Sequence, residues 1–218
     1  MGNKLIKYIT KEEFESIFNA TNDKKLKLAL LLGFEAGMRI SEIIGLHNLG
    51  SICCNSLIDK KKIVREKDNK KITHYYCSKC HNELTLKQMK INRSLGWEIQ
   101  PLTKDKVENA MIRIIGGKGQ KDRVVPRPKR MNEAAVNMLP LNIPRRTLQY
   151  YTEQISKKII KKKINFHMLR HGFGSHLAGQ NRPLHEIQML MGHSRLDTTG
   201  LYLHANPKQA VEGARDAF

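Results

Sequence analysis

Residues 165–179 read NFHMLRHGFGSHLAG. The stretch predicts a helix closed by Gly179, and it carries three histidines and an arginine on a chain of net charge +19. A surface built only to attract polyanions gains little from imidazoles that are neutral at pH 7. His167 and Arg170 lie three residues apart, so one helix face holds a group that moves protons beside a group that holds negative charge.

Composition sets the frame around that helix. The chain has 218 residues, enough for one large domain or two small ones, and 40% of them are hydrophobic, which supports a buried core. Lys and Arg number 39 against 20 for Asp and Glu. Such an excess points to a polyanionic partner, nucleic acid being the commonest, against the plainer reading of a solvated lysine-rich surface. No apolar run approaches the ~20 residues of a membrane span. The start, MGNKLIKYIT, has no apolar signal core, and Ile6 stands where a myristoylation signal has Ser or Thr. The expectation is a cytoplasmic, DNA-associated protein without a membrane partner. Its four cysteines then read as thiols or metal ligands rather than disulfides.

Along the chain, Thr10 and Glu13 have capping-box spacing and open KEEFESIFNA as a helix. KKLKLALLLGFEAG predicts a second, more buried helix ending near Gly37, and Ser41 is a candidate cap for a third, EIIGL. Residues 51–105 change character: they hold all four cysteines and the only tryptophan, with basic runs such as DKKKIVREKDNKK. AMIRIIGGKGQKDRVVP predicts a β-hairpin, apolar residues alternating on both sides of a Gly- and Lys-rich turn. From about Arg130 the pattern is helical again. RRTLQYYTEQISKKIIKKK is a long basic amphipathic helix, PLHEIQMLMG starts with Pro183 in its first turn, and LDTTGLYLHA and PKQAVEGARDAF are two last short helices. The fold class is α+β, mostly helical, with one small antiparallel sheet.

Several residues break the logic of a helical core. Arg39 follows an apolar helix directly; it is either an anion clamp or an arginine paired with Glu42 three residues on. Lys118 sits at a glycine-flanked turn, where a plain turn lysine is the ordinary alternative. His193 follows a glycine at a predicted helix end, and Tyr202 comes nine residues later in a segment where tyrosine usually serves the core. Each ordinary reading suffices alone. The ordered set Arg39, Lys118, His167, Arg170, His193, Tyr202 does not reduce to six independent accidents.

With GMRISEIIGL, IIGGKGQKDRVVP, HMLRHGFGSHLAG and LMGHSRLDTTGLYLHA, that set resembles the catalytic domain of the tyrosine recombinases, the phage-type and Xer-like integrases. The resemblance implies a site-specific recombinase that cleaves and rejoins double-stranded DNA. Tyr202 would be the nucleophile, forming a 3′-phosphotyrosine and freeing a 5′-hydroxyl. Arg39 and Arg170 would offset charge on the phosphate oxygens, Lys118 would protonate the departing 5′-oxygen, His167 would assist proton transfer, and His193 would hydrogen-bond the phosphate. Glu42 would orient Arg39. No cofactor is implied for catalysis, and four protomers acting on two DNA sites are. His171 and His176 are left as core or DNA-backbone residues. PKQAVEGARDAF would either dock into a neighbouring subunit or fold back on its own core.

Two departures from the family pattern matter. The catalytic resemblance begins near residue 8, so the N-terminal core-binding domain is expected to be absent and residues 1–218 to form the catalytic domain alone. Arg39 and Lys118 are also 79 residues apart, where the family needs a short connection. Residues 48–103 therefore read as an inserted module containing SICCN and YYCSKCHNEL. Cys77 and Cys80 have zinc-knuckle spacing, while Cys53 and Cys54 are adjacent. A structural zinc, in a ribbon-like module, would take these four cysteines or three of them with His74 or His81; reduced structural thiols are the alternative. A loop this long argues for such a staple. Trp97 is the candidate core of the module. Two rival functions remain at this level: a catalytically silent DNA-binding protein on the same scaffold, and a type IB topoisomerase-like relaxation activity.

Overall fold

Thr10 opens the first helix as its spacing predicts. In α1 (Lys11–Ala20) the Glu13 N–H donates to Thr10 Oγ1 at 3.2 Å, and the Thr10 N–H donates to Glu13 Oε2 at 3.0 Å. The computed structural model describes residues 8–65, 70–116 and 122–192. These divide into two compact units: one runs up to Ile44 and resumes at Gln100, and the other is Gly45–Ile99.

The first unit continues with α2 (Lys24–Glu35), capped by Asp23, whose Oδ1 accepts from the Leu26 N–H at 2.6 Å. α3 (Ile40–Ile44) follows. It opens at Arg39, whose carbonyl accepts from the N–H groups of Glu42 and Ile43, so Ser41 lies inside the helix rather than capping it. The side chain that serves this helix start is Glu42, whose Oε2 takes the Arg39 N–H.

In the second unit, strands β1 (Leu46–His47), β2 (Leu49–Ser51), β3 (Ile58–Arg65), β4 (Lys70–Cys77), β5 (Met89–Ile91) and β6 (Trp97–Ile99) pair antiparallel as β1–β6, β2–β5 and β3–β4. β3–β4 is the longest ladder, with Lys60 opposite Tyr75 and Lys62 opposite Thr73. Among the described residues of this unit, the buried hydrophobic side chains are Cys77, Leu84 and Ile99. Trp97 is not a core residue: it is 36% exposed and stacks on His47 at 3.6 Å between ring centroids.

The first unit resumes with a hairpin, β7 (Met111–Ile114) and β8 (Arg123–Pro126), paired from Met111↔Pro126 to Ile114↔Arg123. α4 (Glu133–Val136), α5 (Arg145–Ile160), α6 (Phe166–Gly179) and α7 (Leu184–Met191) follow. Four two-stranded sheets thus replace the single small sheet read from the sequence, among the described residues. The extra three lie in the second unit, where charge runs mask the strand alternation.

Helix α6 reaches the middle of the first unit's core. Asn165 caps it, with Oδ1 accepting from the Met168 N–H at 3.0 Å. Leu169 and Phe166 meet α2 at Gly33. At Gly172 a Cβ would stand 2.6 Å from the Ile9 carbonyl oxygen and 2.7 Å from Phe34, so this turn of α6 needs a bare backbone. Phe14 stacks on Phe34 at 4.1 Å beneath. In α5 the buried positions Leu148, Thr152 and Ser156 repeat every four residues, leaving its basic residues on other faces. Pro183 precedes α7 as its N-cap.

Candidate active site and metal centre

Arg39 and Glu42 are joined twice. The Arg39 N–H donates to Glu42 Oε2 at 2.7 Å, and Arg39 Nη1 donates to Oε1 at 2.9 Å. Glu42 is only 2% exposed, and a carboxylate so placed needs more than one partner. The second comes from β8: Arg123 Nη1 donates to Glu42 Oε1 at 2.8 Å and Nη2 to Oε2 at 2.7 Å, a bidentate fork. Burial alone would push the Glu42 carboxyl up. The hydrogen bonds and charge of Arg123, with the N–H and charge of Arg39, outweigh burial and hold it at about 2.

Arg170 is buried, at 3% exposure. Its Nη1 donates to the Gly37 carbonyl and its Nη2 to the Met191 carbonyl. One guanidinium therefore ties the turn two residues before Arg39 to the last residue of α7. That turn depends on glycine: Gly37 has φ +60°, and a Cβ there would lie 2.4 Å from the Phe173 ring. Phe173 is three residues beyond Arg170 on the same helix, so the ring that fits against Gly37 sets the height of Arg170. His167 stands exposed one turn earlier, its ring 6.4 Å from that of His171. Burial, then the charges of His167 and Arg170, lower the His171 pKa from its ordinary value.

The structure thus brings Arg39, Glu42 and Arg170 to one junction of α2, α3, α6 and α7, with His167 on the adjoining turn of α6. Lys118, His193 and Tyr202 lie outside the described residues. Their flanks do not: Gly116 N–H donates to Asp122 Oδ1 at 2.7 Å, on either side of residues 117–121, and Gly192 follows α7 with φ +58°. Arg123 was not singled out from the sequence. In GKGQKDRVVP it is one basic residue among several, and its partner Glu42 is 81 residues away.

The second unit holds another cluster. Cys53, Cys54, Cys77 and Cys80 bring their four sulfurs within 4.8 Å of one another, with Cys53 Sγ 3.6 Å from Cys80 Sγ. Four thiolates around one zinc need sulfur-to-sulfur separations of roughly this size, since Zn–S is about 2.3 Å. Among the described residues this is the one group of ligating side chains so gathered, and it contains neither histidine: the His74 ring pairs with Glu83.

The adjacency of Cys53 and Cys54 has a structural explanation. Residues 51–56 and 77–82 share one hydrogen-bond scheme. Ser51 N–H donates to Ser56 O and Asn55 N–H to Ser51 O; Cys77 N–H donates to Asn82 O and His81 N–H to Cys77 O. Asn55 and His81 both take the left-handed conformation, at φ 51° and 57°. In this correspondence Cys54 matches Cys80, and Ser51 takes the place of Cys77, so the fourth thiol is supplied from the neighbouring position, Cys53. Ser51 Oγ lies 3.2 Å and Ser56 Oγ 3.1 Å from Cys77 Sγ. These hydroxyls, with the N–H groups of Cys80 and Lys79, bring the Cys77 thiol down to about 5 against its burial.

Comparison with known proteins accounts for the fold. The chain is 27% identical over 118 residues to a tyrosine recombinase of Thermosipho africanus (strain TCF52B), a match covering 48% of this chain and 42% of that protein. The chain thus spans less than half the length of this curated relative. Among solved structures, the XerA recombinase crystal structure matches 99% of this chain and 66% of its own, at TM-score 0.57 and 18% identity. The catalytic domain of bacteriophage HP1 integrase matches 96% of this chain and 94% of its own, at TM-score 0.53 and 16% identity. These two structures share the fold. No helix among the described residues is long and apolar enough to cross a membrane. The sequence model of the phage integrase family matches residues 62–209, more than half of the 218 residues, and the chain belongs to that family.

Proposed function

We propose that this chain is the catalytic domain of a tyrosine-type site-specific DNA recombinase, interrupted by a cysteine-containing module at about residues 48–103. The observation that carries the reading is the position of Arg170. It is a buried guanidinium bonded to the backbone on either side of the junction, at Gly37 before Arg39 and at Met191 before Gly192 and His193. Arg170 held this way, with Arg39 held by Glu42, suits a phosphodiester whose non-bridging oxygens gather charge in the transition state.

In this reading Tyr202 Oη attacks phosphorus, the bond to the 5′-oxygen breaks, and Lys118 gives that oxygen its proton. The tyrosine proton leaves toward His167. Arg39 and Arg170 balance the charge, and His193 donates to the phosphate. The phosphotyrosine keeps the energy of the broken diester, so rejoining needs only attack by a 5′-hydroxyl. Double-stranded DNA is the substrate, and four protomers pair two sites. The net charge of +19 supports the DNA partner. Glu42, deprotonated at any ordinary pH, holds Arg39 from behind.

The second unit would hold a structural zinc on Cys53, Cys54, Cys77 and Cys80. Bound zinc would supply a covalent staple to a unit that buries few apolar side chains, and it takes no part in cleavage.

The test is a nicked suicide substrate assayed in chelator. The expected outcome is a covalent protein–DNA adduct on a denaturing gel from the wild type and none from Tyr202→Phe. Binding without an adduct on every candidate site overturns the recombinase in favour of a silent DNA-binding protein. Relaxation of supercoils without recombinant product points instead to topoisomerase-like chemistry.

A further inference from the structure

Arg123 belongs to none of the roles above, yet it touches both α3 and the end of α7. Its side chain is 5% exposed. Its two terminal nitrogens clamp both oxygens of Glu42, at 2.8 and 2.7 Å. Its Nε donates to the Leu190 carbonyl at 3.0 Å, in the last turn of α7. A Cβ placed on Gly192 would come within 2.9 Å of Arg123 Cδ, so the chain leaving α7 lies directly on this side chain. Finally, Arg123 is the first residue of β8, five residues after Lys118 in the sequence.

The three segments that bear Arg39, Lys118 and His193 are far apart in sequence, and each is short. α3 has five residues, and the β7–β8 ladder has four pairs. Elements so small do not fix an atom's position unaided. Arg123 spans all three with five-donor geometry that a lysine lacks.

We propose that Arg123 is a positioning residue of the cleavage reaction, directing Arg39 through Glu42 and fixing the α7 end beside His193. This rests on the recombinase reading and adds to it a role for a residue that meets no substrate atom. An ångström-scale drift of Arg39 or His193 is enough to slow a reaction about a hundredfold without changing how DNA is held.

The experiment is single-turnover cleavage of the suicide substrate, with DNA affinity measured on the same preparations. The variants are Arg123→Gln, Arg123→Lys, Glu42→Gln and the double Arg123→Gln/Glu42→Gln. Arg123→Gln is expected to lower the cleavage rate about a hundredfold with DNA affinity unchanged, a split that partial unfolding does not produce. Arg123→Lys falls between it and the wild type. In the Glu42→Gln background, Arg123→Gln has a smaller effect than in the wild type, because the two share the contact through Glu42 and only the contact with the α7 end remains to be lost. The double variant buries no unpaired carboxylate, so it carries the test even where Arg123→Gln folds poorly. A pH profile adds a second signature. The charged groups facing Glu42 are Arg39 on its own turn and Arg123 from β8. Losing Arg123 raises the Glu42 pKa, so the variant acquires an acid limb that the wild type lacks.

Wild-type cleavage together with an unimpaired Arg123→Gln, or with effects that multiply in the double variant, overturns the positioning role and leaves the recombinase standing. A wild type that forms no adduct overturns the recombinase reading itself, and this role with it.

Discussion

The two units of this chain are stabilised by different means. The first buries Phe14, Ile17, Leu30, Leu32, Leu102, Ile112, Leu141, Leu148 and Leu169 almost completely, from helices and a hairpin spread across the sequence. The second buries three hydrophobic side chains, and its sheets are pairs of strands, among its described residues. Several of its apolar side chains are open to solvent: Leu86 is 77% exposed and Ile91 is 67% exposed. A unit of this size with so little core falls below what hydrophobic burial sustains, and four thiols at contact distance are the kind of staple small units use instead. One region is held by volume, and the other gathers four thiols at a point.

The largest expected effect breaks the comparison at that point. Protein carrying zinc should hold one ion per chain by mass spectrometry. Stripping it with chelator, or changing Cys77 to Ser, should abolish amide-exchange protection over residues 45–99 while the helical unit keeps its own. Structural zinc contributes about 10–16 kcal/mol in small metal-folded units, far beyond any single contact here. Loss of protection in both units together would mean that the two share one cooperative core.

Next comes the carboxylate. Glu42→Ala leaves two guanidiniums facing a cavity and should cost about 3–5 kcal/mol in urea unfolding of the helical unit. Its pH dependence sharpens the point. The folded-state pKa is depressed to about 2 from 4.5, so the stability it contributes is complete above 4.5 and is lost as pH falls toward 2. Glu42→Gln should lack that loss. Leu169→Ala, which empties the space against Gly33, should cost about 2–5 kcal/mol and leave zinc content unchanged. The smallest effect is at the edge: Thr10→Ala removes one half of the capping box and should cost about 1 kcal/mol.

The sequence was legible where signals are local. Thr10 and Glu13 specify a helix start three residues apart, alternation in AMIRI and RVVP specifies a hairpin, and Pro183 marks the start of α7. The junction was legible only in part. Arg39, His167 and Arg170 stand out because each breaks an apolar or structural pattern, and a family resemblance gathers them. Arg123 breaks none, because its meaning is a contact across 81 residues of chain. Ser41 misled for a related reason: a serine beside a helix is a cap by habit, but a glutamate already held by an arginine took that duty. Trp97 misled because a lone tryptophan suggests a core, and this unit has almost none to offer it.

The matching turns at 51–56 and 77–82 have a further consequence. If one backbone scheme presents both pairs of sulfurs, a ligand can change its address without the turn changing shape. Exchanging Ser51 for Cys while Cys53 becomes Ser would give two like-spaced knuckles in place of one regular and one displaced. The cluster would then be two copies of one turn, and because the new cysteine can precede loss of the old one, the exchange passes through a form that carries five thiols.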